Sequence, residues 1–408
     1  MYSLLIHFYA FIIALISPFH RKARLMRFGQ WKTNSILREK IDRNAKYIWF
    51  HASSLGEFEQ GRPMIEKIKA QYPGYKILLT FFSPSGYEVR KNYNGADVIC
   101  YLPFDTPYRV KKFLNLANPA VAVFIKYEFC GNYLKELKKR GVPVYIISAI
   151  FRPDQLFFQW FGAPYRKMLY CFTHLFVQDN RSKELLEQYG IRNVTVYGDT
   201  RFDRVLDVRN QARELPEVER FVGKRSLTLI AGSSWPQDEE ILIPYFNEHP
   251  EMKLIIAPHE IHREHLMYIE SLLKRPAVRL SDVMQDKSLL EGKDCLIVDS
   301  FGLLSSIYRY GTIAYIGGGF GAGIHNTLEA AVYGIPVLFG PRYQKFKEAR
   351  DLIKVGGGFS VASKDEFMAK MDELLTYAEV LKAAGESAGQ FVKGNAGATD
   401  GILKELAL

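Results

Sequence analysis

Short runs of hydrophobic residues recur along the whole chain, each followed by a turn of small or polar residues and then by a helical pattern. In the first half they predict buried strands at residues 47–50, 76–82, 98–102, 120–125, 142–148, 174–178 and 194–198. In the second half they predict strands at residues 227–231, 253–257, 295–298, 313–316, 335–339 and 359–361. Strands that alternate with helices at this spacing predict doubly wound parallel sheets, in which ligands bind beyond the carboxyl ends of the strands.

A chain of 408 residues is too long for one ordinary hydrophobic core, so two domains are expected. The apolar pattern weakens between residues 206 and 224, where charged residues dominate. The sequence therefore predicts an α/β protein with an N-terminal anchor (1–20), a Rossmann-like domain (21–205), a linker (206–224) and a second Rossmann-like domain (225–408). Two doubly wound domains that face a cleft are the architecture of one large class of glycosyltransferases.

The N-terminal segment indicates where the protein acts. Residues 2–16 are apolar apart from His7, and a basic cluster follows them: His20, Arg21, Lys22, Arg24, Arg27 and Lys32. The apolar run is slightly shorter than the roughly 20 residues of a full span. The basic cluster follows the run and no cleavage site is evident, which argues against a signal peptide. We expect an anchor or monotopic helix rather than a buried core helix, with the body on the cytoplasmic side and anionic headgroups reinforcing the contact.

The net charge of +10 suggests an anionic partner: nucleic acid, an acidic membrane surface or a phosphorylated substrate. The cysteines at positions 100, 130, 171 and 295 are scattered and form no CxxC pair. This spacing argues against a zinc site or a disulfide framework and suits a reducing compartment. The sequence contains no P-loop, HExxH or GxSxG motif.

A glycine-rich stretch at residues 312–341 is the strongest candidate for a ligand site. A strand breaks at three glycines, Gly317 to Gly319, and His325, Asn326, Thr327, Leu328 and Glu329 are predicted to start a helix. Free backbone N–H groups and a helix dipole would meet an anion there, and Glu329 could accept hydrogen bonds from a sugar hydroxyl. The alternative is a tight connection that needs glycine only for its backbone angles. We favour a nucleotide-sugar site.

Glu57 is the leading candidate for chemistry in the first half. It ends a turn of small residues, 51–57, after the first strand, and transfer of a sugar to an alcohol needs a carboxylate near the attacking hydroxyl. The alternative is a capping box in which Ser53 or Ser54 caps the helix and Glu57 reaches back to it. Spacing alone does not separate these two interpretations.

Three further charged positions follow strand ends. Alternation along the strand predicts that Lys126 and Glu128 share one face near the ligand, although a solvated ion pair is the simpler explanation. Arg201 could hold a carboxylate or phosphate, or could merely pair with Asp199 or Asp203.

The second half also contains a histidine cluster and a capped acidic helix. His259 and Glu260 are followed by His262 and His265, but their spacing fits no standard zinc motif. Residues 233–234 before the acidic residues 238–240 indicate a helix cap with a negatively charged first turn.

These motifs together resemble the Kdo transferases, which move 3-deoxy-D-manno-oct-2-ulosonic acid (Kdo) from CMP-Kdo to a lipid A precursor. The resemblance covers nearly the whole chain and is carried by residues 51–57, 101–105, 198–203, 232–235 and 325–331. It implies a two-domain GT-B fold, inversion at the anomeric carbon, and neither a metal nor a cofactor besides the donor. The implied partners are CMP-Kdo, the lipid A precursor and the anionic cytoplasmic face of the inner membrane, and no nucleic acid.

The resemblance also implies roles for particular residues. Glu57 is the general base, with Ser53, Ser54, Gly56 and Glu128 around the substrate and Lys126 beside the reacting groups. Arg201 occupies a position where the family usually has a lysine that steadies the transition state. The implied donor-binding residues are His259, Glu260, Phe301, Gly302, Leu303, His325, Asn326, Thr327, Leu328 and Glu329.

This chain departs from the family pattern at three places. The usual Glu-x-Glu-x-Trp-Pro-Asn is Lys-Tyr-Glu-Phe-Cys-Gly-Asn at residues 126–132, so the first acidic position is a lysine. The usual Pro-Arg-His is Pro-His-Glu at residues 258–260, and Ile324 replaces a glycine. We interpret these as a divergent branch. The alternatives are another GT-B transferase or an epimerase with a UDP-sugar, and an inactive sugar-nucleotide or lipid-binding protein.

Overall fold

The computed structural model describes residues 2–223 and 227–408. Backbone contacts divide the chain into two compact units, residues Met1–Arg204 with Ala396–Leu408, and residues Val205–Asn395. Each unit is built on its own parallel sheet with helices on both faces. The predicted α/β fold with two doubly wound sheets is confirmed.

The sheet of the first unit reverses its strand order at its middle. Its strands, among the described residues, are β1 (Lys46–Ala52), β2 (Tyr75–Phe81), β3 (Val98–Tyr101), β4 (Val121–Ile125), β5 (Val144–Ala149), β6 (His174–Val177) and β7 (Val194–Val196). They lie in the order β3-β2-β1-β4-β5-β6-β7. Ile48 of β1 is in register with Ile77 on one side and Val121 on the other. The gap between the carboxyl ends of β1 and β4 is therefore the topological switch point, where ligands bind in this kind of sheet.

Both faces of this sheet are buried. Trp49 packs against Phe113 and Tyr133 on one face, whereas its neighbours Ile48 and Phe50 belong to the core on the other face. Successive strand residues point to opposite faces, so burial of both faces requires continuous hydrophobic runs.

The helices of this part of the chain, the last of which continues into the second unit, are α1 (Tyr2–Ile16), α2 (Arg21–Lys40), α3 (Leu55–Gln71), α4 (Pro84–Arg90), α5 (Pro107–Ala117), α6 (Gly131–Lys139), α7 (Ala163–Leu169), α8 (Asn180–Gln188) and α9 (Arg201–Asn210).

The second unit is also doubly wound, but its strand order differs from that of the first. Its strands, among the described residues, are β8 (Leu227–Ser234), β9 (Met252–Pro258), β10 (Ala277–Arg279), β11 (Cys295–Ile297), β12 (Ile313–Ile316), β13 (Val337–Phe339) and β14 (Gly358–Ser360). They lie in the order β10-β11-β9-β8-β12-β13-β14, which differs because β11 lies between β10 and β9. Ala314 of β12 pairs with Ile230 of β8, so the switch point lies between these two strands.

Helices flank the second sheet and close the chain. They are α10 (Pro216–Val222), α11 (Pro236–Glu248), α12 (Arg263–Leu272), α13 (Leu280–Gln285), α14 (Leu304–Ile307), α15 (Leu328–Ala331), α16 (Lys347–Lys354), α17 (Lys364–Thr376), α18 (Ala378–Gly394) and α19 (Ala398–Glu405). Short 3-10 turns occur at Leu156–Phe158, Lys287–Leu290 and Tyr308–Tyr310.

The division of the chain differs from the predicted boundaries at two places. The last helix, α19, groups with the first unit although the sequence assigned it to the second. Asp203 holds it there, since its carboxylate accepts hydrogen bonds from Gly397 N and from both the backbone N–H and the hydroxyl of Thr399. The predicted linker is largely helical, in α9 and α10, and its last residue, Lys224, lies outside the described residues.

The N-terminal segment folds into two helices that meet at a bend of 117° between α1 and α2. Among the described residues, no single helix has both the length and the apolar character of a membrane span, but this bent pair meets the criteria when taken together. None of the residues of α1 is buried. The Tyr2 hydroxyl donates a 2.5 Å hydrogen bond to Asp105 and accepts one from Gly131 N, which fixes the start of α1 on the first unit.

Candidate active site

Polar residues gather at the switch point of the first sheet. Strand β1 ends at Ala52, and a turn of two serines leads into α3, whose third residue is Glu57. Strand β4 ends at Ile125, and Lys126 and Glu128 follow at once. Because β1 and β4 are adjacent and parallel, these residues share one edge of the sheet.

The Glu57 carboxylate is held by the turn that precedes it. Its Oε2 accepts a 2.6 Å hydrogen bond from the backbone N–H of Ser53. Ser54 is the N-cap residue of α3, but its side chain makes no capping hydrogen bond. The reciprocal capping box with Ser54 is therefore not formed, and Glu57 instead satisfies an N–H one residue further upstream.

Burial raises the pKa of Glu57 to about 7, and the nearby Glu128 carboxylate adds to this effect. The Ser53 hydrogen bond, His51 and Lys126 act in the opposite direction. A carboxylate with a pKa near neutrality can both hold and release a proton under physiological conditions, which is the property a general base needs.

Glu128 is positioned by a histidine on the neighbouring strand. Its Oε2 lies 3.3 Å from Nε2 of His51, whose side chain is 1% exposed. The other ring nitrogen of His51 is bound to Thr80, with Nδ1 2.9 Å from Oγ1 and 3.2 Å from the carbonyl oxygen. His51 thus links β1 to both the Glu128 loop and β2.

Lys126 does not continue the strand as the alternation predicted. It has a φ of 64°, in the left-handed region, so regular alternation stops before Glu128 is reached. Its Nζ lies 5.3 Å from the ring centre of Tyr127. Its positive charge opposes the rise in the pKa of Glu57 that burial causes. Lys126 therefore acts on Glu57 through its field, from a backbone conformation that strand periodicity could not indicate.

Arg201 is bound to Asp199, as the simpler of the two sequence interpretations proposed. Its Nε and one terminal nitrogen lie 2.9 and 2.7 Å from Asp199 Oδ2, and its backbone N–H donates to Oδ1. Burial opposes ionisation of Asp199, but Arg201 and Gln60 outweigh it and lower the pKa of that carboxyl. Burial raises the pKa of Tyr127, and the charges of Arg152 and then Arg201 oppose that rise, so the Arg201 guanidinium lies within electrostatic reach of the β4 loop.

A cavity of about 610 Å³ lies at the switch point of the second sheet. Its lining residues come from the loops after β8, β9 and β12: Trp235, Pro236, Gln237, His259, Gly318, Gly321, Ala322, Gly323 and His325. This volume falls within the roughly 300–1,000 Å³ of small-molecule sites. Trp235 was noticed in the sequence only as part of a family motif and was not proposed as a site residue.

Three aromatic rings form a stack along this cavity. The His259 ring lies 4.8 Å from that of Trp235 and 4.4 Å from that of His325. The indole N–H of Trp235 donates to Nε2 of His325 at 3.2 Å. Burial, with His259 second, lowers the pKa of His325 to about 4, so its ring is neutral at neutral pH and its proton resides on Nδ1. The stack offers a flat apolar face and one N–H donor to a ligand.

The glycine turn is stabilised by internal hydrogen bonds to a greater extent than the sequence predicted. Gly318 N donates to the Asp238 carboxylate, Gly317 N to Gly232 O, and both Gly321 N and Gly323 N to Gly318 O. The predicted helix start at His325 is wrong, because α15 begins only at Leu328 and ends at Ala331. A helix this short provides no dipole site, so these N–H groups do not form the open anion cradle expected from the sequence.

The proposed donor-binding residues beyond His325 occupy different environments. Asn326 donates to Glu329 Oε1 at 3.0 Å and accepts from Leu328 N. Thr327 and Leu328 are fully buried, which assigns their side chains to the core. Phe301, by contrast, is 80% exposed after β11, Gly302 has a φ of 84°, and Leu303 is the N-cap residue of α14. These three are not among the residues that line the cavity.

Two buried carboxylates at the start of α11 organise the loops of this cavity. Asp238 accepts hydrogen bonds from Trp235 N, the Tyr315 hydroxyl and Gly318 N. Burial raises its pKa, and these donors act against that rise. The sequence identified the acidic turn as a helix cap, and Asp238 does form part of that cap. The sequence gave no sign of the hydrogen bond between Asp238 and the glycine turn 80 residues further along.

Glu239 connects the end of β8 to the loop and helix that follow β9. It accepts from the Ser234 hydroxyl and lies 2.9 Å from Nε2 of the buried His265, whose Nδ1 is 2.9 Å from Glu260 O. Both ring nitrogens of His265 are therefore used within the protein. Glu260 itself is exposed and lies 3.4 Å from His262.

The fold of two doubly wound units, each with polar loops at its switch point, defines the GT-B class. Among solved structures, UDP-GlcNAc 2-epimerase from Neisseria meningitidis superposes with a TM-score of 0.63 at 15% identity, covering 88% of this chain and 98% of the other. Acinetobacter baumannii MurG gives a TM-score of 0.54 at 12% identity over 88% of this chain. At these identities the likeness shows the fold alone.

Sequence comparison finds relatives among the Kdo transferases. Residues 23–204 match the model described as 3-deoxy-D-manno-octulosonic-acid transferase (Kdo transferase). The 3-deoxy-D-manno-octulosonic acid transferase of Aquifex aeolicus is 28% identical over 83% of this chain and 89% of its own length, and that of Haemophilus influenzae is 24% identical over 96% and 92%. The chain is a glycosyltransferase homologous to the Kdo transferases, and the resemblance stated from its motifs is confirmed.

Proposed function

We propose that this protein transfers Kdo from CMP-Kdo to a lipid A precursor, with Glu57 as the general base. The observation that carries this proposal is the position of a buried carboxylate with a pKa of about 7 at the switch point of the first sheet. The relatives named above are Kdo transferases, which supports Kdo as the sugar.

In the proposed reaction, the Glu57 carboxylate takes the proton of the acceptor hydroxyl. The hydroxyl oxygen forms a bond to the anomeric carbon of Kdo while the bond from that carbon to the phosphate oxygen breaks. CMP leaves with the bonding electron pair, and the configuration inverts because attack and departure occur on opposite faces. The Ser53 N–H bond fixes the orientation of Glu57 before the acceptor arrives.

Positive charge near the first site would stabilise the negative charge of the transition state. Arg201 is held by Asp199, and Lys126 lies on the β4 loop within the field of Glu57. Both are fixed before the reaction, so they need little reorganisation as the leaving phosphate gains charge. We assign Arg201 the role that a lysine has in the resembling family.

The cavity of the second unit is proposed to bind the nucleotide of the donor. The Trp235–His259–His325 stack presents aromatic faces to a base, and the Nδ1–H of His325 can donate to an acceptor atom of the ligand. Since His325 is neutral, its contribution is a directed hydrogen bond rather than a charge.

The deciding experiment is an assay with CMP-Kdo generated in situ and a tetraacylated lipid A precursor, analysed by mass spectrometry. We expect product gains in steps of one Kdo mass. Glu57→Gln is expected to reduce the rate by about 10²- to 10⁴-fold, the usual contribution of a general base. Glu66→Gln, which removes a charge from a half-buried position of the same helix that is ion-paired with Arg62, is the matched control.

Two results would contradict the proposal. Full activity of Glu57→Gln would remove Glu57 from the mechanism. No product from CMP-Kdo, together with binding of UDP but not of CMP, would exclude CMP-Kdo as the donor and favour a UDP-sugar enzyme instead.

The N-terminal helices are proposed to place the protein on the cytoplasmic face of the inner membrane. Their exposed apolar side chains include Leu4, Leu5, Phe8, Phe11, Leu15, Phe19 and Trp31. The basic residues of α2 stand beside them, so apolar insertion and attraction to anionic headgroups would act together.

This membrane contact is tested by flotation with vesicles of neutral lipid and with vesicles that also contain anionic lipid. Wild-type protein should float with both and more completely with the anionic ones. Phe8→Glu with Phe11→Glu should abolish flotation, whereas Met284→Glu, an equally exposed position in the second unit, should not. Unchanged flotation of the double variant would refute the contact.

A further inference from the structure

Three side chains with metal-ligating atoms converge beside Glu57. His51 lies on β1, and Glu128 and Cys130 lie on the loop after β4. Each side chain offers one ligand atom: an imidazole nitrogen, a carboxylate oxygen and a thiol sulfur. These three atoms lie within 4.8 Å of one another. The third member exists because this chain has a cysteine where the resembling family usually has tryptophan.

The hydrogen bonds around His51 determine which nitrogen faces this cluster. The Thr80 hydroxyl oxygen accepts from the indole N–H of Trp49 and is placed to donate to Phe50 O. It therefore accepts from His51 Nδ1, as does the Thr80 carbonyl oxygen. Nδ1 therefore carries a proton, and Nε2 is the ring nitrogen that faces the cluster. A histidine that ligates a metal is usually held in this way.

Nε2 of His51 is buried and makes no hydrogen bond, yet it lies 3.3 Å from Glu128 Oε2. At this separation the two atoms are bridged by a cation, either a proton on Nε2 or a metal ion that both atoms bind. In a tetrahedral zinc site, the usual zinc–nitrogen and zinc–oxygen bond lengths place these two ligand atoms about 3.3 Å apart. A nitrogen, an oxygen and a sulfur ligand together suit Zn²⁺ better than the oxygen-preferring Mg²⁺ or Ca²⁺.

We propose that His51, Glu128 and Cys130 bind one Zn²⁺ ion, with the fourth position open to water. The Cys130 thiol gives up its proton as the zinc–sulfur bond forms, while Glu128 binds as the carboxylate and His51 as the neutral ring. Because binding releases the thiol proton, the affinity for zinc falls as the pH is lowered.

Occupancy of this site inhibits sugar transfer, a consequence that rests on the proposed function. The ion engages Glu128 and fills the space beside Glu57, where the acceptor hydroxyl must approach.

Binding is measured on the chelator-treated full-length protein, without any activity assay. We expect one Zn²⁺ per chain and, with Co²⁺ as the probe, a thiolate-to-cobalt charge-transfer band in the near ultraviolet. Cys130→Ser should abolish the band and weaken Zn²⁺ binding by at least about 10-fold. Cys171→Ser, which alters a partly exposed thiol elsewhere in the first unit, should change neither.

The site is refuted if Cys130→Ser binds Zn²⁺ as tightly as the wild type, or if the cobalt band survives in that variant. His51→Gln removes the second proposed ligand and should also weaken Zn²⁺ binding. Because it replaces a buried ring, the folding of each variant is first checked by circular dichroism. If His51→Gln does not fold, Cys130→Ser alone decides the test.

Inhibition is measured separately by adding one equivalent of Zn²⁺ to the transfer assay. Wild-type activity should fall and recover with EDTA, whereas Cys130→Ser should be insensitive. Zinc binding without inhibition would overturn the inhibitory role and leave the site intact. A protein with no transfer activity under any condition would refute the proposed function, while the cobalt band would still decide the site.

Discussion

The Asp238 carboxylate accepts a 2.9 Å hydrogen bond from the backbone N–H of Gly318, a residue in the glycine turn of another strand. The same carboxylate also accepts hydrogen bonds from the backbone N–H of Trp235 and the hydroxyl of Tyr315. A single buried side chain thus joins the loops after β8 and β12, which line the cavity of the second unit. The Gly318 N–H that the sequence offered to an anionic ligand is thus already bound to a carboxylate of the protein itself.

Replacing Asp238 by Asn should therefore loosen the cavity. The amide keeps the shape of the carboxylate, but it loses the charge and turns an N–H₂ group towards N–H or O–H donors. Hydrogen bonds to charged groups contribute about 1.5–3 kcal/mol each, and we expect the free energy of unfolding to fall by about that amount. The KM for the donor should rise more than kcat falls. Urea unfolding and donor titration measure the two effects.

Asp372→Asn is the control for this variant. Its carboxylate also accepts from a tyrosine, Tyr245, but its side chain is 58% exposed and it bonds no cavity loop. We expect a loss of about 1 kcal/mol or less and an unchanged donor KM. Equal effects of the two substitutions would show that Asp238 has no special relationship to the cavity.

The pH dependence of transfer should report Glu57. The base must be ionised, and its pKa is raised to about 7 by burial and then by Glu128. In chelator-treated enzyme, kcat/KM should therefore decline below about pH 7. Glu128→Gln removes a like charge and should move this acid limb to lower pH. A limb that stays in place in Glu128→Gln would mean that another group controls it.

The same shift makes Glu57 a source of pH-dependent instability. The folded-state pKa, about 7, lies above the unfolded value of 4.5, so the folded state binds the proton more tightly. Stability contributed by the protonated form is present below pH 4.5 and is lost as the pH rises to about 7. Glu57→Gln lacks this loss, so it should be more stable than the wild type at pH 8 by up to about 3 kcal/mol.

Urea unfolding of both proteins at pH 5 and pH 8 measures this difference. The gain in stability should be small at the lower pH and larger at the higher one. Glu66→Gln, at a half-buried position of the same helix whose carboxylate is ion-paired with Arg62, should show no such trend. A gain in Glu57→Gln that is equal at both pH values would contradict the raised pKa.

The fold was largely predictable from the sequence because both faces of each sheet are buried. Burial of residues such as Ile48 and Trp49 on opposite faces produces hydrophobic runs that are hard to mistake. All seven strands of the first unit were predicted to within a few residues. Strand β10 was missed, since its three residues, Ala277–Arg279, lie at a sheet edge and carry no such run.

The site was less predictable because its geometry depends on contacts between distant residues. The position of Glu57 after a strand is visible in the sequence, but its pKa depends on Glu128, which arrives from another strand. The left-handed backbone at Lys126 and the bond from Gly318 to Asp238 have no local signature. Sequence patterns locate strand ends, whereas tertiary contacts decide what the side chains there do.

Arg201 and Asp199 provide the last prediction, because removal of one partner leaves the other buried and charged. Asp199 is 4% exposed, and its Oδ2 lies 2.7 Å from a terminal guanidinium nitrogen of Arg201. Arg201→Ala should cost about 3–5 kcal/mol of stability. Combining it with Asp199→Asn should recover part of this loss, since no unpaired carboxylate remains. Arg201→Lys keeps the charge and should retain more transfer activity than Arg201→Ala.

Urea unfolding of the two single variants and the double variant gives the interaction energy between the partners, and the transfer assay then ranks the folded proteins. If Arg201 serves only to neutralise Asp199, the double variant should be as active as the wild type. We expect it instead to be stable but slow, because the positive charge proposed to stabilise the transition state is gone. That separation between recovered stability and lost rate distinguishes a positioned catalytic charge from an arginine that only closes an ion pair.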